Sequence, residues 1–138
     1  MKLKRTITML TLIGMLCVSG ASIVYAASSK FKQVNLESKD GTITAVGTLT
    51  ADFAWTGKGS GGAETAIDGD FEEEGRIFVS LFAINKKNEI VKSKSAREDF
   101  YGSIDIKNAK CKKFTSYHQI LNANDRPIAT RESLTVSK

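Results

Sequence analysis

Five carboxylates crowd into the stretch DGDFEEEG, residues 68–75, and their density raises the question of a metal site. Asp68, Asp70 and Glu72 share one parity, so on a strand they would project from one face. Calcium needs six to eight oxygens converging on a point, whereas same-face residues of a flat strand stand about 7 Å apart. We take a solvated acidic strand face as the first interpretation. Asp68, Asp70 and Glu72 remain a calcium candidate, and no other cofactor is expected.

Two lysines offer this acidic stretch a partner. Lys92 and Lys94 share a face on another predicted strand. Opposite charges on neighbouring strands stabilise a sheet by a few tenths of a kcal/mol per pair. We therefore expect these lysines to lie across from the acidic residues.

The only tryptophan stands beside a glycine-rich stretch, TGKGSGG, residues 56–62. This stretch lacks the residue order of a phosphate-binding P-loop, because Lys58 precedes the glycines, and it favours a flexible hairpin loop. An exposed Trp55 could stack on a sugar or anchor a partner protein, although its strand parity favours a core position on the Ile43 face. The candidate ligand-binding residues are Trp55, Lys58 and Tyr101.

The sequence contains no recognisable catalytic constellation. His118 is the only histidine, which excludes metal sites that use two histidines. Ser116 would share its strand face, but a nucleophile and its base normally come from separate elements. Cys111 could pair with His118 as thiol and imidazole, but the two residues lie about 23 Å apart if the strand between them runs straight. We predict a protein that is not an enzyme, with His118 as an ordinary strand residue.

Alternation of apolar and polar residues dominates the chain after residue 27. In TITAVGTLTADFAW, residues 42–55, the odd positions are apolar and most even positions are threonine, which favours the extended backbone. A strand of this length predicts a bulge or bend near Gly47. RIFVSLFAI, residues 76–84, is apolar on both faces and predicts a central strand covered on both sides.

Turn signals separate these strands at residues 39–41, 57–62, 85–88, 107–108 and 122–127. Their spacing is typical of successive antiparallel hairpins, and no segment predicts a helix. The sequence therefore predicts one all-β domain over residues 27–138. Seven or eight strands would form a small antiparallel sandwich or a closed barrel, of which we prefer the sandwich.

Residues 1–26 have the features of a signal peptide: a basic start, a short apolar run and a small-residue cleavage site after Ala26. Its removal leaves 17 cations against 15 acids, a net charge of +2, which is too balanced to indicate nucleic-acid binding. No later segment is apolar enough for a transmembrane helix. Cys111 would be the only remaining cysteine, either buried or available to link two chains as a homodimer.

These features favour a secreted, non-catalytic binding module. Its loops at one end would contact a protein or carbohydrate ligand: a wall polymer, a host surface or a partner protein. The alternative is a membrane-active toxin or bacteriocin-like protein that uses residues 42–71 as an amphipathic hairpin. A secreted hydrolase is a third class.

Overall fold

The computed structural model describes residues 29–68 and 75–138. The predicted signal peptide lies outside these ranges. Within them there is no helix, and so none that could cross a membrane. The described residues form eight β-strands: β1 (Ser29–Glu37), β2 (Thr44–Phe53), β3 (Lys58–Asp68), β4 (Gly75–Ile84), β5 (Ile90–Asp99), β6 (Tyr101–Lys110), β7 (Lys113–Asn122) and β8 (Glu132–Ser137).

These strands form two four-stranded sheets that pack against each other. Sheet I has the order β1-β2-β3-β6, and sheet II has the order β5-β4-β7-β8. Every neighbouring pair of strands is antiparallel. The all-β prediction is confirmed, and the protein has the sandwich that we preferred.

The core lies between the two sheets because alternate side chains of each strand point inward. In β2, Ala45, Leu49 and Phe53 are buried, whereas Thr44 faces outward and is exposed. Phe114 of β7, completely buried, meets Phe53 across the core with 5.8 Å between ring centroids. Parity of the sequence thus predicts which face of β2 is inside.

β4 occupies the central position that its apolar sequence predicted, between β5 and β7. Its inward side chains, including Ile77 and Leu81, are completely buried. Phe78 and Phe82 on the outer face are only half-buried, so the prediction that both faces are covered is wrong for that side. Phe82 packs against Tyr117 at 5.7 Å between ring centroids, so the outer aromatic residues partly cover one another.

The glycine-rich stretch 57–62 is not a flexible loop, because β3 already begins at Lys58. Gly59 and Gly61 face the core, where a Cβ on Gly61 would lie 2.8 Å from Cδ1 of Phe114. These glycines therefore make room for the Phe114 ring. The turn predicted at residues 107–108 is likewise absent, and the pairing of β6 with β3 shifts register there.

The connections between strands gather at two ends of the sandwich. At one end, the Lys112 amide donates to the Ile84 carbonyl at 2.9 Å, and the Lys138 amide donates to the Lys112 carbonyl at 2.8 Å. These bonds join the β4–β5 and β6–β7 connections and the last described residue into one surface, and the Lys138 ammonium adds the β2–β3 turn to it by donating to the Ala54 carbonyl. We call this surface the Trp55 end; it comprises residues 30–31, 54–58, 84–91, 107–113 and 138. The turns at residues 38–43 and 122–131 lie at the opposite end.

Candidate functional site

Trp55 lies in the tight turn that joins β2 to β3. The Ala54 amide donates to the Lys58 carbonyl at 2.8 Å, and Gly57, with a φ of 86°, supplies the left-handed residue that closes the turn. Trp55 is 91% exposed to solvent. The parity argument for a core tryptophan is therefore wrong, because β2 ends at Phe53 and that phenylalanine takes the last buried position.

The three candidate ligand-binding residues do not form one group. Lys58 follows the same turn as Trp55 and is exposed. Tyr101 begins β6 and pairs with Ala66, eight residues further along β3 than Lys58. At about 3.3 Å per strand residue, this is a separation of about 26 Å. Only Trp55 and Lys58 share the Trp55 end.

Lysines are concentrated at the Trp55 end. Three acidic residues lie near it: Asp105 stands 4.0 Å from the Lys107 ammonium, Glu89 accepts from the Asn85 amide at 2.9 Å, and Asp52 lies toward the same end of β2. The end is therefore strongly cationic, although residues 27–138 together carry a net charge of only +2. Its nine lysines are Lys30, Lys58, Lys86, Lys87, Lys107, Lys110, Lys112, Lys113 and Lys138.

Several of these ammonium groups bind neutral oxygens. Lys138 donates to the Ala54 carbonyl at 3.0 Å, directly beside Trp55, and Lys113 donates to the Asn88 side chain at 3.2 Å. Lys30 donates to the Ser137 carbonyl. Neutral acceptors orient a lysine without cancelling its charge, so the positive field of this end remains available to an anionic partner.

His118 lies in the middle of the core between two hydroxyl groups. Its Nδ1 is 2.7 Å from Thr65 Oγ1 of the facing sheet, and its Nε2 is 2.7 Å from Ser116 Oγ. Burial lowers the pKa of His118 from 6.5 to about 4, so the ring is neutral at pH 7.

This trio resembles a nucleophile with its base only in composition. All three side chains are completely buried, so the Ser116 hydroxyl cannot meet a substrate while the two sheets are packed. The expectation that Ser116 and His118 share a strand face is confirmed by their contact. Thr65 was missed, because no sequence signal links a threonine to a histidine 53 residues away.

Glu64 is a second titratable group that sequence analysis overlooked. It lies in the centre of sheet I on the outer face, between Thr48 of β2 and Ser103 of β6. Its side chain is nevertheless only 8% exposed, and this burial raises the pKa of Glu64 from 4.5 to about 7. The pKa of Tyr101 is also raised, first by burial and then by the nearby Glu64 charge. The Glu64 carboxyl therefore titrates near neutral pH.

The acidic stretch at residues 68–75 falls largely outside the described ranges. Asp68 is the last residue of β3 and lies across from Thr44, while Asp70 and Glu72 of the calcium candidate are not described. In residues 29–68 and 75–138, no group of three His, Cys, Asp or Glu side chains could hold a metal ion. The calcium site stays a prediction.

The expected pairing of this stretch with two lysines is wrong for its described part. Lys92 and Lys94 belong to β5 of sheet II, where they lie across from Ala83 and Leu81 of β4. Asp68 belongs to sheet I. Strand parity indicated a shared lysine face, but it carried no information on which strand would be the neighbour.

Cys111 is buried, as one of the two sequence interpretations expected. Its Sγ lies close to Gly59, and burial raises the pKa of the thiol. We expect Cys111 to react with a maleimide at least about a hundredfold more slowly in the native protein than in 6 M urea, because the thiolate is the reactive form and is both scarce and covered. Mass spectrometry of the labelled protein measures this ratio. Equal rates would restore the linked homodimer as the better interpretation of this cysteine.

The sequence matches no family model and no curated protein. Solved structures with a similar arrangement include a glycosyl hydrolase family 2 member from Bacteroides cellulosilyticus, with a TM-score of 0.40, 12% identity, and coverage of 64% of this chain and 13% of that one. An endonuclease/exonuclease/phosphatase from Beutenbergia cavernae has a TM-score of 0.39 and 12% identity, and the match covers 81% of this chain and 27% of that one. Bacteroides uniformis beta-glucuronidase 2 has a TM-score of 0.36 and 5% identity, and the match covers 81% of this chain and 13% of that one. The chain thus spans about a quarter or less of these proteins, and the likeness does not bear on its function.

Proposed function

We propose that this protein is a secreted binding module that contacts its ligand through the Trp55 end. The observation that carries the proposal is the indole of Trp55, 91% exposed on a turn held by backbone hydrogen bonds. Binding a ligand would remove the apolar surface of this large exposed ring from water, which is favourable. Tryptophan is also among the residues that dominate binding energy at interfaces.

The scaffold supports this assignment because it fixes the turn on both sides. β2 and β3 pair over their full lengths and continue into β1 and β6, so Trp55 is presented on a rigid hairpin. A tryptophan side chain has only two χ angles to fix, so on a rigid turn it loses little conformational entropy on binding. Lys58 beside it adds a charge that favours an acidic or polar partner, such as a wall polymer, a host surface or a partner protein.

Trp55→Ala is expected to weaken ligand binding at least about tenfold while leaving the free energy of unfolding within about 0.5 kcal/mol of wild type, because an exposed side chain contributes little to stability. A pull-down and a glycan-binding panel measure the first quantity, and urea unfolding measures the second. Tyr101→Phe at the opposite end is the matched control and should bind as wild type. Equal binding by wild type and Trp55→Ala would remove Trp55 from the site.

The toxin hypothesis for residues 42–71 has no observation of its own in its favour. Its two strands, β2 and β3, are the central pair of sheet I, and their apolar faces pack into the core. Membrane insertion of this hairpin would require the sandwich to open. We therefore do not adopt it as a second candidate function.

A further inference from the structure

The large apolar side chains that remain exposed in the described part of the chain all lie at or beside the Trp55 end. Trp55 stands on the β2–β3 turn, and Ile90 and Val91 begin β5 directly after the β4–β5 turn. Phe31 is near the start of β1, across from Thr50. Their exposed fractions are 91% for Trp55, 59% for Ile90, 47% for Phe31 and 40% for Val91.

These four side chains lie at or beside the end that carries the nine lysines. A hydrated soluble polyanion would satisfy the lysines, but it offers nothing to the aliphatic side chains of Ile90 and Val91. A bilayer with anionic headgroups satisfies both sets, since its surface potential attracts lysines and its interface accepts tryptophan rings and short apolar side chains. Stable attachment to a membrane generally takes two such signals together.

We propose that the Trp55 end docks onto an anionic phospholipid surface, with the Trp55 ring at headgroup level and the lysines facing the lipid phosphates. This inference rests on the proposed function, because it names the ligand class of the same surface. Docking would be peripheral: the turns touch the interface, and the paired strands of both sheets stay folded above it. The opposite end, with acidic residues such as Glu37, Asp40 and Asp125, would point away from the membrane.

Trp55 makes the inference directly measurable, because it is the only tryptophan in the chain. We expect its fluorescence to shift to the blue when vesicles of 30% phosphatidylglycerol in phosphatidylcholine are added. Vesicles of phosphatidylcholine alone should leave the emission unchanged. Raising the salt from 50 mM to 500 mM should release most of the bound protein, since surface charges are screened at high ionic strength.

Paired charge reversals locate the contact. Lys86→Glu/Lys87→Glu on the β4–β5 turn should weaken cosedimentation with the anionic vesicles at least about tenfold. The matched control, Lys39→Glu/Arg126→Glu, makes the same charge change in exposed residues at the opposite end and should bind within about threefold of wild type. Equal loss in both variants would overturn the proposed orientation.

Three further outcomes would overturn the membrane inference as stated. If Trp55→Ala loses a ligand in the glycan or pull-down panel while the wild-type protein ignores anionic vesicles, the proposed function stands and the membrane is not its ligand. If the vesicles release a trapped dye when the protein binds, the contact is not peripheral. An unshifted Trp55 emission in vesicle-bound protein would likewise exclude the tryptophan from the interface.

Discussion

Gly47→Ala is expected to destabilise the protein by about 3 kcal/mol, the upper part of the range for overpacked cores. A Cβ at this position would lie 2.5 Å from Cγ and 2.7 Å from Nδ1 of His118. The imidazole cannot move away cheaply, because Thr65 and Ser116 hold its two nitrogens from opposite sides. The shift of the urea unfolding midpoint measures the effect.

Gly62→Ala is the matched control for this prediction. Gly62 lies on the outer face of β3, and its nearest neighbour would be the Thr50 hydroxyl at 3.2 Å, a group that can rotate. We expect a cost below about 1 kcal/mol. In a His118→Ala background, the space left by the ring should accept the new methyl group, so Gly47→Ala should cost much less there than in wild type. An equal cost in both backgrounds would show that the strain at Gly47 does not come from His118.

The role of Gly47 marks the limit of what the sequence could predict about the fold. Alternation in residues 42–55 correctly indicated a strand with one buried face, because parity is a local property of the backbone. The same pattern suggested a bulge or bend near Gly47, and the bulge is absent because the pairing of β2 with both neighbours runs through Gly47 without a shift. The reason for the glycine is a histidine 71 positions away on the facing sheet, and nothing local records that contact.

The candidate site was predictable to a smaller extent. Trp55 and Lys58 were correctly placed beside a turn, but residues 42–55 gave no sign that the strand would stop at Phe53. The lysines of the Trp55 end are spread from Lys30 to Lys138, and they come together because the β2–β3, β4–β5 and β6–β7 connections lie at the same end of the sandwich. Tyr101 was grouped with Trp55 although it begins a strand at the opposite end.

Glu64 and His118 should oppose each other in the pH dependence of stability. The folded-state pKa of Glu64 is raised from 4.5 to about 7. Its stabilising contribution to the free energy of unfolding is therefore present below pH 4.5 and is lost as the pH rises to 7. The folded-state pKa of His118 is lowered from 6.5 to about 4, so its contribution is present above pH 6.5 and is lost as the pH falls to 4. Between pH 4.5 and 6.5 the two slopes have opposite signs and similar size, and they largely cancel.

Glu64→Gln is expected to remove one side of this balance. The variant should become more stable with rising pH between 4.5 and 6.5, with a slope approaching about 1.4 kcal/mol per pH unit from His118. The free energy of unfolding of the variant should exceed that of wild type by at most about 3 kcal/mol at pH 8. The reason is that burying the uncharged amide does not carry the cost of burying the Glu64 carboxylate. Urea unfolding from pH 4.5 to 8 measures both curves, and the carboxyl ¹³C shift of Glu64 reports its titration separately. A Glu64 carboxyl that titrates near 4.5, with parallel stability curves for the two proteins, would contradict the assignment of a buried acid on the outer face of sheet I.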